Sequence, residues 1–124
     1  MIYLDTHVVV WLYARRLDLL SSTARSRLEN DEILISPMVL LEFDFLQEVG
    51  RIAARGLPVY EELHLRVGLN LCHLPFARVI EAASSQTWTR DPFDRLIVGQ
   101  ASAADSDLLT RDDLINQQYP RAVW

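Results

Sequence analysis

Three features of the sequence predict an α/β chain whose mainly parallel central sheet is covered on both faces, giving three layers. Short β-branched or leucine-rich runs alternate with stretches of helical period. The runs are continuously apolar, the pattern of strands buried on both faces. No linker, repeat or low-complexity tract interrupts them, so one domain, residues 1–124, is expected. That length supports one core and is too short for two.

The first run, Met1 to Leu4, stops at Asp5, and Val8 to Tyr13 then reads as a helix. Ser21 or Ser22 can cap a second helix through Leu28. Ile33 to Ile35 reads as a strand ended by Ser36-Pro37, a cap followed by a first-turn proline. The helix that follows is expected to run to about Ile52, with Gly56 to Pro58 as a break. Val59 to Val67 reads as a fourth helix carrying Glu61 and Glu62 on its solvated side. Leu71 to Leu74 is a candidate strand and Phe76 to Ser85 a helix. In Thr89 to Ala104, Asp91 is the natural N-cap and Pro92 takes the first helical position, where a missing N–H costs nothing. Phe93, Leu96, Ile97, Ala101 and Ala104 then form a buried stripe. Asp107 to Thr110 is a further strand, followed by a capped turn to Asp113, and Ala122 to Trp124 is a last edge strand.

Composition narrows the chemistry. The net charge of -5 argues against a general basic surface for nucleic acid, so a polyanion would be met by local arginines or bound cations. All 12 basic residues are arginine, which removes every mechanism that needs a lysine amine. Cys72 has no partner for a disulfide, as expected of a protein in a reducing cytoplasm. The apolar run Val8 to Ala14 is too short to span a bilayer, so no membrane role is expected.

In a parallel sheet the C-terminal strand ends form the usual ligand crevice. Asp5 ends the first strand, Asp112 follows the strand Asp107 to Thr110, and Asp94 lies in the first turn of the Asp91-capped helix. Glu42 is the fourth carboxylate. Its helical neighbours Met38, Val39, Phe45 and Leu46 are apolar, and a carboxylate on such a face is costly unless its charge is compensated. Asp44, beside Gln47 and Glu48, is expected on a solvated face. A purely structural reading of Asp94 has it reaching back to the Asp91 N–H in a capping box. Four carboxylates near one point raise one another's pKa values unless a cation joins them. Oxygen-only donors in a chain without lysine point to Mg²⁺ or Mn²⁺. No calcium-loop pattern is present, His64, Cys72 and His73 are poorly spaced for zinc, and no nucleophile elbow supports a serine triad.

The segments IYLDTHVVVW, ISPMVLLEF, RDPFDRLIVGQA and LLTRDD, in that order, resemble the PIN-domain nucleases, and among them the VapC-type toxins of bacterial toxin–antitoxin pairs. The resemblance spans nearly the whole chain. It implies a PIN-like three-layer α/β/α domain whose catalytic and metal-binding carboxylates are Asp5, Glu42, Asp94 and Asp112. Thr6 and Thr110 match polar positions beside that site, although each reads first as a helix cap, as does Asp91. Many relatives carry a His ahead of the DPFD segment, where this chain has Arg90. The implied activity is Mg²⁺- or Mn²⁺-dependent hydrolysis of RNA phosphodiester bonds, inhibiting translation or growth. The implied partners are a cognate antitoxin and a second copy of the chain in a homodimer.

Arg15, Arg16 and Arg90 are candidate contacts for flanking phosphates. A second expectation is a catalytically silent domain that binds a partner segment through helix grooves bearing Trp11 or Tyr13, although ordinary packing is the simpler reading of both rings. A phosphorylated receiver of similar size lacks the lysine its chemistry would need.

Overall fold

The computed structural model describes residues 1–124. Strands β1 (Ile2–Leu4), β2 (Ile33–Ile35), β3 (Asn70–Leu71), β4 (Asp107–Leu109) and β5 (Ala122–Val123) form one sheet in the order β3-β2-β1-β4-β5, and every neighbouring pair is parallel. Seven α-helices connect them: α1 (Thr6–Tyr13), α2 (Ser22–Asn30), α3 (Pro37–Glu48), α4 (Gly56–Val67), α5 (Phe76–Ser84), α6 (Pro92–Ala103) and α7 (Asp113–Gln118). The chain moves outward from β1 to β3 and returns to β4 and β5. Right-handed crossovers therefore put the helices after β1 and β2 on one face and those after β3 and β4 on the other. The result is the expected three-layer α/β/α fold.

The strands supply the centre of the core, with Ile2, Leu4, Ile35, Leu108 and Leu109 fully buried. Val8 and Val9 of α1, Phe43 of α3, Leu63 of α4 and Ile97 of α6 close over them. No helix is long and apolar enough to cross a membrane.

Several boundaries differ from the sequence reading, each for a local reason. Helix α1 begins at Thr6, not Val8, because extended Asp5 is its N-cap and accepts the Thr6 N–H at 2.8 Å. Helix α3 stops at Glu48, four residues before Ile52. Gly50 adopts φ 80°, and the Arg51 N–H closes on the Leu46 carbonyl at 2.8 Å. The expected break at Gly56 to Pro58 is instead the first turn of α4, where Pro58 needs no amide partner. Gly56 is required there, since a Cβ would lie 2.2 Å from the Leu40 carbonyl oxygen. Strand β3 comprises Asn70 and Leu71, not Leu71 to Leu74.

Asp44 also departs from its expected solvated role. Its Oδ1 accepts the Gly56 N–H at 2.8 Å and its Oδ2 lies 3.2 Å from the Arg55 guanidinium. A side chain of α3 thus caps α4, whose own N-cap residue, Arg55, provides no side-chain hydrogen bond.

Helix α6 is buried beyond a single stripe: Ile97 to Ala101 are buried in succession, whereas Phe93, Leu96 and Ala104 are only partly covered. Backbone contact with α5 explains this, since a Cβ on Gly99 would approach Ala83 atoms to 2.8 Å. Gly99→Ala should therefore lower stability by about 1–3 kcal/mol through overpacking, measurable as a lower denaturant midpoint.

Candidate active site

The chain reverses its direction across the sheet between β1 and β4, and the C-terminal strand ends at such a switch point diverge to leave a crevice. Most of the buried polar residues collect at this edge. Of six, Asp5, Ser36 and Thr110 directly follow β1, β2 and β4, Thr6 comes next after Asp5, and Gln100 accepts the Ser36 hydroxyl at 2.8 Å. Every buried side-chain nitrogen and oxygen has a hydrogen-bond partner.

Asp5 is 6% exposed. Its Oδ1 accepts the Thr6 N–H at 2.8 Å, and its Oδ2 accepts the Thr110 hydroxyl at 2.6 Å. Burial pushes its pKa up, and the Thr110 and Thr6 hydrogen bonds only partly offset that rise. The Thr110 Oγ1 also accepts the Asp112 N–H at 3.1 Å, while Asp112 Oδ1 caps α7 by accepting the Ile115 N–H at 2.9 Å. Asn116 holds this loop by donating to the carbonyls of Thr110 and Asp112 at 2.8 and 2.9 Å.

Glu42 comes from α3 and is half-buried, with its Oε1 accepting the Thr6 hydroxyl. Burial raises its pKa, the Thr6 bond pulls the value back, and the charges of Asp5 and Asp91 raise it further. Neither threonine is a helix cap, contrary to the simpler sequence reading. Thr6 joins α1 to Glu42, and Thr110 joins β4 to Asp5.

Asp94 does not form the capping box. Asp91 caps α6 as expected, with its Oδ1 accepting the N–H groups of Phe93 and Asp94 at 2.8 and 3.3 Å. The Asp91 N–H, however, is satisfied by the Thr89 hydroxyl at 3.1 Å, which leaves the Asp94 carboxylate without that role. Its pKa is pushed up to about 7, first by burial and then by the charges of Asp91, Asp5, Asp112 and Glu42. Asp94 therefore shares one electrostatic neighbourhood with the other three expected carboxylates. None of the four, nor Asp91, forms an ion pair with an arginine. As the side chains stand, no three His, Cys, Asp or Glu residues are arranged to hold a metal ion. The hydrogen bonds account for part of this, because Asp5 and Glu42 oxygens are turned toward threonine donors and an Asp112 oxygen toward a backbone amide.

Other expectations resolve in the same detail. His64 Nδ1 pairs with the Leu69 carbonyl at 2.8 Å and Cys72 Sγ accepts the Tyr3 hydroxyl at 2.7 Å, so neither joins a metal set. Trp11 packs against Trp124 with ring centroids 5.9 Å apart, and both Trp11 and Tyr13 lie against the core. Arg16 pairs with Asp18, and Arg90 donates to the Thr87 carbonyl at 3.0 Å. The sequence reading overlooked Arg51 and His7, which line a cleft shared with Glu42 and Asp91. His7 had a signal in its place two residues after Asp5. Arg51 had none, because it fell inside the overlong third helix.

The crowded carboxylates have a measurable consequence. Asp94 is held near pKa 7 in the fold and near 3.8 in the unfolded chain, so between those values the folded form keeps a proton that the unfolded form has released. Raising pH through that window removes stability. Asp94→Asn should therefore stabilise the metal-free protein at pH 8 by about 1 kcal/mol, after allowance for solvent screening of a half-buried group, and the difference should vanish near pH 4. Thermal melts of both proteins across this range would check it.

Residues 2–119 match the family model described as the PIN domain. No curated protein matches the chain. Among solved structures, the chain is similar to VapBC2 from Rickettsia felis bound to a DNA fragment from their promoter, at 19% identity and TM-score 0.67, covering 99% of this chain and 96% of the other. It is similar to VapBC-1 from nontypeable Haemophilus influenzae at 19% identity and TM-score 0.61, and to FitAcB from Neisseria gonorrhoeae at 18% and 0.53, each covering 100% of this chain and 96% of the other. With the family model spanning nearly all its elements, from β1 to Tyr119 just beyond α7, the chain belongs to the PIN-domain family.

Proposed function

We propose that this protein is a metal-dependent endoribonuclease, the VapC-type toxin of a toxin–antitoxin pair, acting on RNA in the cytoplasm. One observation carries the reading: Asp94 stands half-buried among Asp5, Glu42 and Asp112 with no arginine paired to any of them. Like charges held this close are unfavourable unless a cation completes them. The donors are hard oxygens, which fit Mg²⁺ or Mn²⁺, and Asp5, Glu42, Asp94 and Asp112 would hold the ion. A bound divalent cation would supply Lewis-acid polarisation of the phosphodiester and a lowered water pKa.

The chain's own residues do the orienting. Thr110 and the Thr6 amide fix both oxygens of Asp5, the Thr6 hydroxyl aims Glu42, and capping by Asp91 sets the helix start that carries Asp94. The similarity to two VapBC structures supports a cognate antitoxin as partner; the homodimer is proposed on the sequence resemblance alone.

Partner-free protein should cleave a pool of structured RNAs with Mg²⁺ or Mn²⁺. EDTA or Asp5→Asn should reduce the rate by about 100-fold or more, with unchanged circular dichroism. Properly folded protein that neither binds the metal nor cleaves would instead be a silent interaction domain. Thr110→Val, which removes the hydroxyl that donates to Asp5 and accepts the Asp112 N–H, should cost roughly 10–100-fold in kcat/KM under the same assay.

A further inference from the structure

Arg111 immediately precedes Asp112, on the loop that carries β4 into α7. It is exposed and forms no ion pair, although Asp112 and Asp113 follow it directly. Its guanidinium lies instead over the Trp11 ring, with Cζ 5.9 Å from the ring centroid. A guanidinium on an aromatic face is attracted by the ring quadrupole and keeps its in-plane N–H donors for another partner. The charge is held in place without being neutralised.

The ring is itself fixed. Trp11 is partly buried against the core, meets Trp124 at 5.9 Å between centroids, and has the His7 ring 6.2 Å away. Strand β5 delivers the second indole: the Thr110 N–H donates to the Val123 carbonyl at 3.1 Å, which sets Trp124 beside the start of the Arg111 loop. Trp11 stands five positions after Thr6 on α1, so it lies about 7–8 Å along the axis from the helix start that Asp5 caps. The cation is therefore set back from the carboxylates along α1.

Two considerations identify what such a cation meets. A chain of net charge -5 with clustered carboxylates repels an approaching polyanion, and an unpaired arginine at the edge of the cluster offsets that repulsion locally. Arg111 and Asp112 are also neighbours, so a ligand with one anionic group at the carboxylates reaches Arg111 with its next when its anions repeat along a chain. A sugar–phosphate backbone has that repeat. An isolated carboxylate of a partner protein, the competing occupant, does not.

We propose that Arg111, positioned by Trp11 and Trp124, binds the RNA phosphate next to the scissile one, on the α7 side of the carboxylates. This rests on the ribonuclease reading and adds a substrate-positioning contact to it.

The test compares Arg111→Gln, Arg111→Lys, Trp11→Leu and the double variant Trp11→Leu/Arg111→Gln. Binding to a labelled RNA hairpin with a single-stranded tail is measured by fluorescence anisotropy across a range of KCl concentrations, in an Asp5→Asn background. Cleavage is measured with Asp5 intact. Arg111→Gln should weaken binding several-fold and make the slope of log affinity against log salt shallower by about one. Arg111→Lys should restore the slope but only part of the affinity, since an ammonium lacks the planar fork. Trp11→Leu should cost less than Arg111→Gln and add nothing to it in the double variant, because the ring acts only through the guanidinium. In cleavage, Arg111→Gln should raise KM and leave kcat within about twofold, as for a contact made equally in the ground and transition states.

Unchanged affinity and salt slope in Arg111→Gln would overturn the proposal, whether or not the parent protein cleaves. A fall in kcat with KM unchanged would also overturn it, by moving Arg111 to the scissile phosphate. So would variants that keep RNA and release a co-expressed partner chain instead. If Arg111→Gln loses affinity in a protein that never cleaves with metal, the phosphate contact stands and the nuclease reading alone falls. Should Trp11→Leu fail to fold, the two substitutions at exposed Arg111 decide the matter.

Discussion

A carboxylate buried where two parallel strands meet is the feature on which the rest of this edge depends. Asp5 follows β1 and is almost wholly removed from water, a placement that would be prohibitive for an unpartnered charge. It is tolerated because its two oxygens have different donors: the first amide of α1 and the hydroxyl of Thr110 beyond β4. The strand register makes this possible, since Leu4 pairs with Leu109 and brings the next residues of the two strands alongside. From that contact the arrangement spreads outward. Thr6 carries it to Glu42 on α3, and Thr110 carries it to Asp112 at the head of α7.

The sheet and most helices were legible in the sequence because their signals are local: β-branched runs, a serine before a proline, an aspartate before another proline. The four carboxylates were legible for a different reason. Asp5 directly follows a strand, Asp112 comes two residues after the expected end of another, Asp94 lies in the first turn of a helix, and Glu42 interrupts an apolar helical face. What could not be read was whatever depends on a partner distant in sequence. Asp44 looked solvated because the amide it caps belongs to another helix. Thr6 and Thr110 looked like caps because nothing local showed that Glu42 and Asp5 would lie within reach. The rejected capping box at Asp94 turned on Thr89, a competitor one step outside the motif.

The site sits at one rim of an otherwise apolar fold, and the helices around it are held by contacts that do not involve it. The Asp44 cap on Gly56, with the Leu40 carbonyl against the same glycine, ties α3 to α4 on the side away from the carboxylates. The close approach of Gly99 to Ala83 ties α6 to α5. Glu42 and Asp94 therefore project from two independently anchored helices. Such anchoring is what keeps carboxylates together against their mutual repulsion.

The pairing of β1 with β4 has a further consequence during synthesis. The hydroxyl that steadies Asp5 belongs to a residue 105 positions later, and Asp112 comes two residues beyond that. A growing chain emerges from its N-terminus, so the first-made carboxylate waits for its support until Thr110 has been added and has emerged. Until then the carboxylates beyond β1 and β4 cannot be held together, and a nascent chain that stops short of Thr110 has no assembled cluster.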